Sequence, residues 1–236
     1  MGFKIVLRSF SQAFADALYS AFEDSSLEII RPENLAWDDA EAVQAYIKKQ
    51  SACAVVNGSL RDAADEQIAV ANLAAACVVC DIPFLHFSSY RVFGVTGDQG
   101  PFDESRIPEP DDAYGQHLQA LEHKVATVPR HLILRVSWVI GGDVENICAT
   151  LIPKLLEGVP MHVSDHDFGC PVNLPYLAGV VRALMQQVLC GAQNWGVFHL
   201  RASDRCSEAE FCDAVVRILV GDLGYTVTMP PVATLG

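Results

Sequence analysis

Short, largely apolar runs alternate with amphipathic stretches along the whole chain. Residues 3 to 7 predict a first buried strand, and Gln12 to Phe22, with apolar Phe14, Ala17, Leu18 and Phe22, predicts a helix. Residues 27 to 30 predict a second strand, closed by Arg31-Pro32. A helix from about Asp38 to Lys49 follows, with its cap within Trp37-Asp38-Asp39. Residues 53 to 57 predict a third strand, and Asn57-Gly58-Ser59 a turn. A long helix from about Asp62 to Cys80, uncharged after Glu66, leads to a fourth strand from Pro83 to Phe87. A loop rich in Gly and Pro (Gly94 to Asp111) precedes a helix carrying Tyr114 to Val125, then a strand from His131 to Val136. Farther on the pattern predicts a helix from Asp143 to Glu157 interrupted at Pro153, a short strand around Met161-His162-Val163, and a helix over 175 to 189. A strand over 195 to 200, a helix over 207 to 219 and a last strand at Tyr225 to Met229 complete it. Such alternation predicts an α/β fold, a Rossmann-like and mostly parallel sheet covered by helices on both faces.

The 236 residues suit one domain with a single substantial core. Hydrophobic residues make up 51% of the chain, but no run reaches the roughly 18 apolar residues that a bilayer crossing needs, so a cytoplasmic protein without a membrane partner is expected. A net charge of −13 without a basic patch argues against nucleic acid as a partner. The eight cysteines are scattered through apolar segments, and the one closely spaced pair, Cys77 and Cys80, falls within a helical pattern as two small hydrophobes.

Candidate chemistry gathers after the fourth strand. His86-Phe87-Ser88-Ser89 ends an apolar strand in two hydroxyls, and Tyr114-Gly115-Gln116-His117-Leu118 brings a tyrosine back at the start of a helix. A phenol polarised by a neighbouring serine can exchange a proton with a carbonyl or carbinol. The residue one helical turn beyond Tyr114 is Leu118, where a lysine would favour the phenolate. The turn after the first strand, Arg8-Ser9-Phe10-Ser11, has no glycine, although a dinucleotide fold needs close backbone approach to a pyrophosphate there. Arg31 stands where such folds read the adenosine ribose or its 2′-phosphate.

Taken in order, these motifs resemble the extended short-chain dehydrogenase/reductases, in the sugar-nucleotide-binding branch of dTDP-4-dehydrorhamnose reductase. Val55-Val56-Asn57, Asn72-Leu73-Ala74, Phe87 to Phe93, Tyr114-Gly115 with Glu122, Leu134 to Val139 and Asp165 to Val172 follow the family's motifs in order and spacing. The resemblance implies a single domain over residues 1–236, with residues 143–175 and 200–236 forming a reduced substrate-side lobe. It implies Ser89 and Tyr114 as the catalytic pair, with Leu118 in the lysine position. It implies a degenerate cofactor site at Arg8, Ser11, Arg31 and Asn57, where Arg8, Ser11 and Phe14 take the three glycine positions. Its long central helices, Asp62 to Cys80 and Tyr114 to Val125, are those that form a homodimer interface in the superfamily, and packing inside one subunit explains their apolar content equally well.

His162, Asp165, His166 and Asp167 have a metal-like composition, but the resemblance puts them on an exposed loop, and no metal site is expected. With lysine and glycines replaced together, the sequence predicts a protein impaired in hydride transfer, with no cofactor, that binds a nucleotide, a sugar nucleotide or a protein partner. The alternative is a working reductase of a nucleotide-linked 4-keto-sugar that uses NADP(H) or NAD(H). A third possibility is another enzyme class built on His117 or the His162 to Asp167 cluster.

Overall fold

The computed structural model describes residues 2–9, 11–58, 64–94, 100–142 and 146–233. Two compact units divide the chain, one of residues 1–136 and 174–200, the other of residues 137–173 and 201–236.

The first unit is a six-stranded parallel sheet. Its strands are β1 (Phe3–Arg8), β2 (Leu27–Ile30), β3 (Ala52–Asn57), β4 (Phe84–Ser89), β5 (His131–Val136) and, after a long excursion, β10 (Gly196–Leu200). They lie in the order β10-β5-β4-β3-β1-β2, which reverses direction between β1 and β3. Helices α1 (Gln12–Phe22), α2 (Ala40–Gln50), α3 (Ala64–Cys80), α4 (Ala113–Val125) and α6 (Leu174–Leu189) belong to this unit. Local chemistry sets several of their ends. Asp39 caps α2 by accepting from the Glu41 and Ala42 amides, and Asp112 caps α4 by accepting from Gly115.

One sheet face meets α2, α3 and α4. Val6, Val55, Phe84 and Ile133 pack there with Val43, Ile47, Val70, Leu73, Leu121 and Val125. Val70, Ala74, Cys77, Leu118, Leu121 and Val125 are all buried within the monomer, which accounts for the apolar content of the two long helices without a partner. Val78 is 48% exposed on α3, with Val79 and Ile68 also outward.

On the opposite face, Phe14 of α1 meets Phe87 edge to face, with ring centroids 5.2 Å apart. Gly58, just beyond β3, makes room for that ring, since a Cβ on it would lie 2.4 Å from Phe14 Cε1. Helix α6 packs beside α1, and Arg182 donates to the Ala21 carbonyl.

The second unit contains β6 (Val139–Ile140), α5 (Ile147–Glu157), β7 (Val163–Ser164), β8 (Phe168–Gly169), β9 (Val172–Asn173), β11 (Cys206–Ser207), α7 (Glu208–Arg217) and β12 (Val232–Ala233). Two motif segments meet in it. The Cys170 amide donates to Ser137 Oγ, the Val172 amide to the Trp138 carbonyl, and Gly169 is a glycine because a Cβ would fall 2.2 Å from the Trp138 ring. A capping box of Ser207 and Glu210 starts α7. The strand expected at Tyr225 to Met229 does not form; the chain there is irregular, and the pairing segment is β12 against β7.

The Gly58–Phe14 contact gives a direct test. Gly58→Ala should destabilise the protein by about 1–3 kcal/mol in urea denaturation, and Phe14→Leu in the same chain should recover part of the loss.

Candidate active site

The strand ends build the site. On the face toward α3 and α4, five of the six strands follow an apolar residue with a polar one toward the carboxyl end: Val6 then Arg8, Val55 then Asn57, Phe84 then His86 and Ser88, Ile133 then Arg135, Val197 then His199. The parallel register places Arg8 beside Asn57 and Asn57 beside His86. It also places Ser88 beside Arg135 and Arg135 beside His199. A buried polar layer therefore lies under the carboxyl ends of the strands, the edge at which open α/β sheets bind ligands.

Arg8 is turned into that layer. Its Nη1 and Nη2 donate to Glu66 Oε1 and Oε2 of α3 at 2.5 and 2.9 Å, and Nη1 also donates to Asn57 Oδ1 at 3.0 Å. Arg8 is 2% exposed and Glu66 fully buried. The guanidinium, which also lies 5.5 Å from the centroid of Trp37, is neither a plug in the pyrophosphate space nor a hand held out to an anion.

With its oxygen facing Arg8, the Asn57 amide nitrogen donates to His86 Nδ1 at 2.9 Å. His86 is fully buried, and its pKa is pulled down to about 3, chiefly by burial, then by the charge of Arg8 and by His117. It is thus a neutral core histidine.

The turn itself is closed by serines. Ser9 Oγ accepts from the Ser11 amide and donates to the Ser11 carbonyl, while Ser11 Oγ caps α1 by accepting from Phe14. Phe14 points into the core toward Phe87, so it too stays clear of the turn. The residue beside it, Ala15, is fully buried at a position where a bulky side chain would hold the helix off the sheet.

Above the turn lies an open cleft of about 500 Å³, lined by Arg8, Ser9, Gln12, Arg31, Glu33 and Trp37 among others. Arg31 reaches it from the end of β2 and donates to Gln12 Oε1 at 2.7 Å. Of the four residues expected to touch a cofactor, Arg8 and Arg31 line this cleft, Ser11 caps the adjoining helix, and Asn57 sits beneath in the buried layer.

Ser89 ends β4, nearly buried, where its Oγ accepts from the Arg91 amide at 3.4 Å and starts a 3-10 turn, Tyr90–Phe93. Tyr114 stands half-buried in the first turn of α4. The two segments are pressed together, because a Cβ on Gly115 would come 2.6 Å from the Arg91 carbonyl oxygen. Leu118, in the lysine position, has no exposed surface.

Glu122 of α4 is 4% exposed and binds Arg135 Nε and Nη2 at 2.9 and 2.7 Å. Arg135 in turn lies over the Phe93 ring, and His199 ties β10 to the loop through the Phe102 carbonyl and Glu104. Neither glutamate lies on the helix that follows its arginine's strand, since Glu66 is on α3 for β1 and Glu122 on α4 ahead of β5, so no local sequence signal marks either ion pair. His162, Asp165 and Asp167 are exposed; His166 pairs only with neighbouring Asp165 among the contacts described, and no group of three metal-ligating side chains occurs among the described residues.

The family model described as RmlD substrate binding domain matches residues 4–223. The chain belongs to this family. Curated relatives include the dTDP-4-dehydrorhamnose reductase of Salmonella typhimurium, 30% identical over 119 residues that cover 50% of this chain and 40% of the relative. Another is the probable low-salt glycan biosynthesis reductase Agl14 of Haloferax volcanii, 30% identical over 159 residues covering 64% and 50%. The chain thus spans about half the length of the curated relatives it matches. Among solved structures, a dTDP-4-dehydrorhamnose reductase from Clostridium acetobutylicum superposes with a TM-score of 0.82 at 22% identity, covering 98% of this chain and 83% of that one. The Bacillus anthracis enzyme in complex with NADP gives 0.80 at 19%, covering 99% and 85%. These superpositions place the RmlD-type fold on the chain. Nothing in the relatives' names speaks for lost catalysis, and they favour the reductase reading over the impaired one.

Two predictions follow from the buried layer. Glu66→Gln leaves the Arg8 cation buried without its counter-charge and should cost about 3–5 kcal/mol in chemical denaturation, whereas Arg8→Met with Glu66→Leu should cost far less. His86 is neutral in the folded chain and takes up a proton below 6.5 when unfolded, so stability is complete above about pH 6.5 and declines as pH falls toward 3. Burial shifts His199 the same way. Melting temperature measured from pH 7 to 4.5 should fall, and His86→Phe should flatten the fall without removing it.

Proposed function

We propose that this RmlD family member is a nicotinamide-dependent reductase of a keto group on a nucleotide-linked sugar, with Ser89 and Tyr114 as its proton-handling pair. The observation that carries the reading is the withdrawal of Arg8 into its ion pair with Glu66, which leaves the cleft beside the first strand-helix turn open to a dinucleotide. Arg31 would hold an adenosine-side phosphate or ribose, and the N-terminal end of α1 would face the pyrophosphate. The cofactor, when bound, supplies the hydride. Ser89 would orient the substrate oxygen, and Tyr114 would give it the proton. Similar proteins of known structure have been solved in complex with NADP or NAD+, which supports the same class of cofactor here. The second compact unit is assigned the substrate side.

One observation favours a second reading, a binding or regulatory protein on the same scaffold: Leu118 fills the lysine position with a buried aliphatic side chain. Calorimetry with NADPH and NADH, followed by NADPH oxidation in the presence of a dTDP-4-keto-sugar, separates the two. The reductase reading expects micromolar binding and a turnover that Tyr114→Phe lowers at least about 100-fold. Absence of binding to either dinucleotide would leave the second reading in place.

A further inference from the structure

The missing lysine raises the question of what else could stabilise a phenolate at Tyr114. Around the first turn of α4 the charged and titratable groups are Tyr90 and Arg91 on the 3-10 turn after β4, Asp111 and Asp112 in the lead-in to the helix, and His117 one turn on. His86 of β4 is coupled to His117, and it is neutral. Only one of these is a permanent cation.

Arg91 is held in place from two sides. Its Nη2 pairs with Asp112 Oδ2, while Asp112 Oδ1 caps the helix by accepting from the Gly115 amide at 2.6 Å. Its carbonyl oxygen abuts Gly115 so closely that no side chain fits there. The guanidinium is therefore fixed against the turn that contains Tyr114, with about a third of its side chain exposed.

Resting on the reductase reading for its purpose, but not for its physics, we propose that Arg91 is a positioning residue whose guanidinium, fixed at the helix-start turn that carries Tyr114, supplies the positive charge felt by its phenol, in the electrostatic role left vacant at Leu118. Partial burial works against the Arg91 charge, but the hydrogen bond and charge of Asp112 and the charges of Tyr90 and Tyr114 outweigh it and raise its pKa. That coupling is mutual: a phenol whose anion stabilises the guanidinium is itself easier to ionise. Asp112 opposes this effect through its own charge, yet its two oxygens are spent on Arg91 and on Gly115. The N-terminal end of α4 adds in the same direction as Arg91.

The test needs no cofactor. The six tyrosines are labelled with 13C at Cζ in the full chain, Tyr114 is assigned by its loss in Tyr114→Phe, and each phenol is titrated by NMR. In the unmodified protein Tyr114 should ionise below the ordinary phenol value of about 10. Arg91→Gln and Arg91→Met should raise it by about one pH unit, and Arg91→Lys should restore it, while His117→Gln should leave it unchanged. A Tyr114 that titrates at or above the ordinary value in the unmodified chain overturns the proposal by itself, even if both neutral variants fail to fold. So does a titration that moves with His117 and not with Arg91. A protein that shows the shift but no turnover would refute the reductase reading and leave the role of Arg91 standing.

Discussion

The buried ion pair between Arg8 and Glu66 is the constraint on which the site depends. A guanidinium out of water needs a counter-charge and hydrogen-bond partners, and Glu66 supplies the charge while Glu66 and Asn57 together bind its two terminal nitrogens. The pair fixes where α3 meets the end of β1, and it determines which way the amide of Asn57 faces and hence which ring nitrogen of His86 accepts from it.

The same solution recurs on the other side of the layer. Arg135 and Glu122 join β5 to α4, and the Phe93 ring lies against the guanidinium. Helix α4 is thus anchored through its third turn, while its first turn is fixed by Asp112, Arg91 and the absent side chain of Gly115. Between these two points stands Leu118, packed as core. The tyrosine thus stands at a helix start whose backbone is fixed by Asp112, Arg91 and Gly115.

Much of this was legible in the sequence. Periodicity gave every strand of the main sheet and the helices that cover it, because a parallel sheet buried on both faces demands apolar runs that few other structures do. The ordered motifs gave the family, and the resemblance supplied Ser89 and Tyr114 as candidates. Residue type alone did not say where the side chains of Arg8, Phe14 and Glu122 go, and all three are inside.

Strand position explains the difference. Sequence by itself determined that Arg8 follows the first strand, that Glu66 lies near the start of a helix and that Leu118 stands in the lysine position. Only the tertiary structure decided that Arg8 and Glu66, 58 residues apart, meet in the core. Alternation tells which face of a strand a residue takes, but not what the facing helix presents there. Charges are stable in an interior only in pairs, and those partners are set by the register of strands and the packing of helices across the sheet.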